Sequence, residues 1–286
     1  PPGRILIFGS KGFLAKKMIK YFKKKKYEIY LDSSYKKRIK KNSNYNFLLK
    51  ILNKIKPRVV INLLALTDVD KCERNKLMAK RSNILFPKNL TKAIKKTAQN
   101  IYLVHLSTDQ VYSGNGNHKE KTTKPINYYG HSKLLGEKYF QDIQSVILRT
   151  NFVGKGENIY NKTLSDWLVK NLTKKIRINT FKNIFFSPLH TSTLITIIDK
   201  LIHKKIIGIY NLGSKNKISK AKFASLLALK LNFDFKLLNK VDYKKNLLLA
   251  SRPLDMSLSV KDFERDFNMK LPFVNDEIIK LSREYK

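Results

Sequence analysis

The sequence predicts an α/β fold: a doubly wound parallel sheet with a smaller α/β part at the C-terminal side. Three observations carry that expectation. Short apolar runs alternate with helical patterns through residues 1–151, the rhythm of a parallel sheet whose crossovers are helices. A glycine turn follows the first apolar run at once. After residue 152 the alternation loosens into helical patterns separated by short extended pieces.

Residues 4–8 (RILIF) form an apolar run of the kind that makes a strand buried on both faces. Residues 12–21 follow with helical spacing through Phe13, Leu14, Met18 and Ile19, and residues 27–31 read as the second strand. A helix over residues 46–55 stops before Pro57, because proline pushes the preceding residue out of the helical region. Residues 58–64 (RVVINLL) and 101–106 (IYLVHL) are the third and fourth strands. Helical patterns at 72–80 and 83–97 cross between them, a helix over 128–141 follows, and residues 145–149 (SVILR) return as strand. Beyond lie helical patterns at 161–170, 191–203, 219–231 and 276–283, with an extended piece at 207–212.

Composition excludes several classes. With 42% hydrophobic and 11% aromatic residues among 286, the chain buries a core, which disordered and fibrous sequences do not. Its 59 basic and 21 acidic side chains give a formal charge of +38, which invites a nucleic-acid or anionic-membrane reading. The basic residues are 49 Lys and only 10 Arg, spread from Lys11 to Lys286 among abundant Asn and Ile. Base-edge and bidentate phosphate readers lean on Arg, so the charge reads as solvated surface shaped by genomic bias, with no specific nucleic acid expected. No run approaches the roughly 18–20 apolar residues that span a bilayer, and no signal-peptide pattern opens the chain, so the expected location is cytoplasmic. The single cysteine, Cys72, forms no internal disulfide and reads as helix packing. His105, His118, His131, His190 and His203 have no metal-ligand spacing, and no metal is expected.

Three motifs carry chemistry. Gly9-Ser10-Lys11-Gly12-Phe13-Leu14-Ala15 is a G-x-x-G-x-x-A turn between strand and helix. Its glycines allow a tight turn and close approach to a pyrophosphate, which then sits on the amides of the helix start. Asp32 closes the second strand, where an acid hydrogen-bonds an adenosine ribose. That favours NADH, yet Ser33, Ser34, Lys36, Lys37 and Arg38 follow and suit the 2′-phosphate of NADPH, so both cofactors stay open. Ser107-Thr108-Asp109-Gln110 ends the fourth strand, and Tyr129 and Lys133 stand four apart on the next helix. An ammonium near a phenol lowers the phenol pKa toward working pH, and a threonine hydroxyl beside it holds a carbonyl oxygen.

With these motifs the chain resembles the extended short-chain dehydrogenase/reductases, and within them the dTDP-4-dehydrorhamnose reductase-like sugar-nucleotide reductases. The resemblance runs over almost the whole chain. Besides the three motifs it rests on Val60-Ile61-Asn62-Leu63-Leu64-Ala65-Leu66-Thr67-Asp68, on Asn127-Tyr128-Tyr129-Gly130-His131-Ser132-Lys133, on Leu148-Arg149-Thr150-Asn151-Phe152-Val153 and on Ser251-Arg252-Pro253. It implies a Rossmann-like dinucleotide-binding domain over residues 1–151 and a mainly substrate-binding domain over 152–286, some of whose segments return to the sheet. It implies a catalytic trio of Thr108, Tyr129 and Lys133. The cofactor would lie against Gly9, Ser10, Lys11, Gly12, Phe13, Leu14, Asp32, Ser33, Leu64, Ala65, Leu66 and Thr67, as well as Tyr129 and Lys133. The sugar would meet Thr108, Asp109, Gln110, Phe152 and Arg252. The expected activity is NADPH- or NADH-dependent reduction of a 4-keto group on a nucleotide-activated deoxysugar, with a homodimer as a candidate assembly.

The chain departs from the family pattern in places. The segment after the second strand reads Lys41-Asn42-Ser43-Asn44 where relatives carry an adenine-binding aspartate. Leu63, Leu64 and Leu66 replace smaller residues, and Phe152 stands where relatives carry Trp. Related dehydratases follow the threonine with Asp-Glu; Asp109-Gln110 lacks the second acid, which disfavours elimination. Three alternatives remain: a sugar-nucleotide 4-epimerase, a non-catalytic NAD(P)-binding regulatory subunit, and a nucleic-acid-binding protein on the same fold.

Overall fold

The computed structural model describes residues 2–32, 44–156, 163–244 and 248–286. The chain divides into two compact units: residues 1–111, 127–149 and 195–209 form the first, residues 112–126, 150–194 and 210–286 the second. The tract 112–126 falls in the second unit although it precedes residue 152.

The first unit is built on strands β1 (Ile5–Phe8), β2 (Ile29–Leu31), β3 (Val59–Asn62), β4 (Tyr102–Thr108) and β5 (Ser145–Thr150). They lie in a six-stranded sheet in the order β2, β1, β3, β4, β5 and then strand Gly208–Leu212. The pairs β1–β2, β1–β3 and β3–β4 are parallel, with Ile5 opposite Ile29 and Val59, and Val59 opposite Tyr102. Every residue of β1, β3, β4 and β5 is buried, as continuous apolar strands covered on both faces require. The chain runs outward from β1 to β2, then turns back to β3 on the other side of β1. That reversal is the switch point at which open α/β sheets bind ligands, outside the carboxyl ends of their strands.

The crossover helices are α1 (Phe13–Lys24), α2 (Tyr45–Ile55), α3 (Val69–Arg74), α4 (Lys76–Lys80), α5 (Phe86–Lys96) and α6 (Tyr128–Phe140). Asn44 caps α2 by accepting the Asn46 N–H, and Lys56 ends it in the left-handed region just before Pro57. The patterns at 72–80 and 83–97 predict two helices; the structure has three, with a π-helical turn, Arg81–Leu85, leading into α5. Leu6, Phe8, Leu48, Leu52, Val60, Phe86, Leu90 and Leu103 pack into one core between sheet and helices.

The second unit has its own core, around Phe186, Phe223, Leu227, Ile278 and Leu281. It holds three two-stranded pairs, Ile178–Phe181 with Leu238–Val241, Phe185–Phe186 with Ile218–Ser219, and Phe152–Val153 with Leu189–His190. Helix Lys261–Phe267 has no counterpart among the predicted elements. Among the described residues no helix is long and apolar enough to cross a membrane.

Candidate active site

The glycine turn closes on itself through Gly12 N–H donating to the Gly9 carbonyl at 2.9 Å. Gly9 sits at φ +80°, and a Cβ there would stand 2.7 Å from the Leu63 carbonyl carbon and the Leu64 nitrogen. Only glycine meets both demands, and the contact brings the loop after β1 against the loop after β3. No side chain caps the start of α1, and its first turn carries no acid. Its amides and dipole therefore offer an anion site. Ser10 is buried, Lys11 and Gly12 are exposed and Phe13 is half-buried. Leu64, Ala65 and Leu66 are half-buried and Thr67 exposed along the neighbouring loop. These positions fit a dinucleotide: a cradle that excludes side chains, a positive helix end and an apolar floor.

Asp32 makes contacts that the sequence does not announce. Its Oδ2 accepts the Gly9 N–H at 2.8 Å, and its Oδ1 accepts the Ser10 N–H at 3.1 Å and the Ser10 hydroxyl. Both oxygens brace the glycine turn, so Asp32 shapes the cradle from beneath. Ser33, Ser34, Lys36, Lys37, Arg38 and residues 41–43 lie outside the described residues.

Thr108 ends β4 and Tyr129 lies in the first turn of α6, whose start is fixed by Asn127 accepting the Gly130 N–H at 2.8 Å. Asn127 also donates to Gln110 Oε1 at 2.9 Å, tying the helix cap to the strand-end loop. The Thr108 side chain lies near enough to the Tyr129 phenol to act on its titration. Burial raises the Tyr129 pKa above its ordinary value; Thr108 pulls it down, while Asp109 and Cys72 push it further up. Thr108 Oγ1 also contacts Asp109 Oδ1 at 3.3 Å and accepts the Gln110 N–H at 3.2 Å. Lys133 is buried and donates to the Leu106 carbonyl at 2.7 Å, with its Nζ 3.3 Å from His105 Nε2. Burial pulls its pKa down to about 8, against an opposing pull from Glu137. Sequence reading expects Lys133 to lower the phenol pKa; in the polypeptide the largest influence on Tyr129 is burial, which raises it. Phe152 and Arg252 are half-buried in the second unit.

Four further groups hold the site. Asn83, in the π-helical turn, accepts the Leu66 N–H at 2.9 Å and donates to Leu66 O at 3.1 Å and Ser132 Oγ at 2.9 Å. It therefore clamps the loop after β3 to α6. Glu137, four residues after Lys133, takes a bidentate bond from buried Arg149, closest at 2.6 Å, and a bond from Ser107. Asn62 and His105 form the remaining pair, 3.1 Å apart. Their only signal in the sequence is polarity inside otherwise apolar strands. Among the described residues no cluster of His, Cys, Asp and Glu suits a metal ion.

A buried tyrosine beside a threonine hydroxyl, a lysine one turn on, and a dinucleotide cradle at the switch point make a site for hydride and proton transfer at a carbonyl. Residues 3–286 match the family model described as the RmlD substrate binding domain. The dTDP-4-dehydrorhamnose reductase of Salmonella typhimurium is 30% identical over 247 residues, 80% of this chain and 80% of that protein. A probable reductase of low-salt glycan biosynthesis from Haloferax volcanii is 25% identical over 83% of this chain and 81% of that one. The crystal structure of dTDP-4-dehydrorhamnose reductase from Bacillus anthracis in complex with NADP superposes with a TM-score of 0.89 over 99% of both chains at 23% identity, a likeness of fold. A hypothetical dTDP-4-dehydrorhamnose reductase from Sulfolobus tokodaii is 31% identical, with a TM-score of 0.76 over 92% of this chain and 94% of that one. With sequence motifs, fold and family model agreeing along its length, the chain belongs to the RmlD substrate binding domain family of the extended short-chain dehydrogenase/reductases.

Proposed function

We propose that this chain reduces the 4-keto group of a dTDP-linked deoxysugar in nucleotide-sugar biosynthesis, with Thr108, Tyr129 and Lys133 as its catalytic residues. The observation that carries the reading is the buried Tyr129 phenol with buried Thr108 acting on it, beside buried Lys133 on the same helix. Bound in the cradle, a nicotinamide cofactor, NADPH or NADH, supplies the hydride. Tyr129 donates its proton to the oxygen that becomes the alcohol; burial keeps the phenol protonated before the reaction. Thr108 orients the keto oxygen toward that proton. Lys133 holds the cofactor ribose, and Gly9, Ser10, Lys11, Gly12, Phe13 and Leu14 bind its pyrophosphate, with the apolar loop Leu64, Ala65, Leu66 and Thr67 against the nicotinamide. Asp109, Gln110, Phe152 and Arg252 are the sugar-nucleotide contacts that the family resemblance implies. The enzyme is proposed to act in the cytoplasm as a homodimer, and the +38 charge to provide a general positive field that favours polyanionic ligands without a specific nucleic-acid partner.

The test is a spectrophotometric assay of NADPH and NADH oxidation across nucleotide-linked 4-keto sugars. Stoichiometric oxidation with a dTDP-4-keto-6-deoxysugar is expected. Interconversion of sugars without net cofactor consumption would mark an epimerase instead.

A further inference from the structure

His105 has a defined relationship to Lys133 that the reaction above does not use. It lies on β4 directly opposite Asn62 on β3, and both are buried. The Asn62 amide has one orientation available. Its Oδ1 accepts the Leu64 N–H at 3.1 Å, so its NH2 group is the end that faces His105 Nδ1 at 3.1 Å. A neutral imidazole that accepts on Nδ1 carries its hydrogen on Nε2. That Nε2–H faces Lys133 Nζ at 3.3 Å, while Nζ donates to Leu106 O at 2.7 Å. The Phe140 ring, 4.7 Å from the imidazole and tilted 49°, keeps the ring in its plane.

An ammonium hydrogen and a ring N–H cannot share one line; a ring N–H is accepted only by the lone pair of a neutral amine. We infer that His105 is a positioning residue for Lys133, locked by Asn62 in the Nε2–H tautomer so that it donates to the lysine amine in its neutral form. The inference rests on the reductase reading for the role of Lys133, and on the chain's own contacts for the tautomer. Hydrogen bonding to a neutral form disfavours the charged one, in the same direction as the burial that lowers Lys133 to about 8. The His105 pKa itself is held well below its ordinary value by burial and then by Lys133, with the Asn62 backbone carbonyl, not its side chain, opposing. The other charged group acting on the amine is Glu137, which favours the ammonium and is occupied by Arg149 and Ser107; Tyr129, one turn back on the same helix, is buried and neutral. His105 thus keeps Lys133 able to release and recover a proton, and through Asn62 and Leu64 it joins the lysine to the loop after β3.

Two measurements test this. Nitrogen-15 NMR of the histidine side chains in the full-length protein reads the tautomer directly: Nε2–H at His105 is expected, and Nδ1–H overturns the inference. Asn62→Asp presents an acceptor to Nδ1 while still accepting the Leu64 N–H, so the ring turns to Nδ1–H and Nε2 then accepts from the ammonium. The pH profile of kcat/KM for Asn62→Asp should move its Lys133-dependent limb upward by about one pH unit, a tenfold change in proton affinity. In a His105→Phe background the same substitution should move it far less, because the ring is the route. Equal shifts with and without His105 would show that the added carboxylate acts by charge alone and would overturn the inference. Should the wild-type protein oxidise neither cofactor with any keto sugar, the reductase reading fails, and the NMR measurement still decides the tautomer.

Discussion

Gly136 lies so close to Asn83 that a Cβ added to it would stand 2.1 Å from the Asn83 carbonyl oxygen. The contact presses the π-helical turn Arg81–Leu85 onto α6, the helix that carries Tyr129 and Lys133. From that turn the Asn83 side chain reaches both Leu66 and Ser132. Gly136→Ala must therefore push the two backbones apart, and overpacking of this kind costs about 1–3 kcal/mol. Turnover is expected to fall further than that stability loss explains, because the clamp between the loop after β3 and α6 opens. Thermal unfolding and kcat measured side by side check it; a variant with a lowered Tm and unchanged kcat would detach the clamp from catalysis.

Asp32 gives a prediction that separates two roles. As a direct ribose acceptor it would favour NADH, and its loss would penalise NADH alone. As found, its carboxylate takes the Gly9 and Ser10 amides and the Ser10 hydroxyl, so Asp32→Ala leaves three donors at the turn without their acceptor, each worth about 1–3 kcal/mol when buried. NADH and NADPH affinities are expected to fall together, by roughly tenfold or more. Titration calorimetry with both cofactors distinguishes the roles, since selective loss of NADH binding would restore the ribose contact.

These two residues also show where sequence reading succeeds and where it stops. The glycine turn, the strand-end threonine and the Tyr129/Lys133 spacing are legible because each is local: a few neighbouring residues on one strand end or one helical face. Asp32 is legible as an acid ending a strand, but its bonds to amides 22 and 23 residues earlier depend on the β1–β2 pairing. Asn83 finds its partners 17 and 49 residues away, and nothing in the helical periodicity at 72–97 marks the π-helical turn that aims it. His105 reads from sequence as an ordinary buried histidine. Only the register of β3 against β4 sets it opposite Asn62.

The Arg149–Glu137 pair is buried on both sides, at 4% and 0% side-chain exposure. Removing one partner of such a pair strands a charge in the interior, at a cost of about 3–5 kcal/mol. Arg149→Met is expected to destabilise by that order, and adding Glu137→Gln to it should recover part of the loss. Urea unfolding of the two variants measures this; no recovery in the double variant would assign the loss to packing of the arginine stem.

Tyr129→Phe removes the proton donor and keeps the ring that packs beside Cys72 and Ala79. Loss of a positioned general acid costs about 10²–10⁴-fold in rate, so kcat should fall by that order while NADPH binding stays nearly intact. Fluorescence titration of the cofactor alongside the assay reads both quantities. Full activity in this variant would move the proton donor elsewhere.

Lys133 links the site to stability through pH. Burial lowers its amine from an ordinary 10.5 to about 8, so between those values the unfolded chain holds a proton that the folded chain has released. Stability then rises with pH across that window and the cost of burying the ammonium is fully felt below it. Cysteine and tyrosine oppose the trend higher up: Cys72 is raised from 9.0 to about 11, and Tyr129, Tyr210 and other tyrosines are raised above 10.0. Both lose relative stability only as the unfolded chain deprotonates, which leaves pH 8 to 9 as the clearest interval. Over it the lysine should add about 1 kcal/mol to the unfolding free energy. Lys133→Met lacks the titrating amine and keeps the other groups, so the difference between wild type and variant isolates the lysine. Urea unfolding at closely spaced pH values should give a wild-type slope that rises and a variant slope that does not; parallel slopes would mean that the amine keeps its proton in the folded chain.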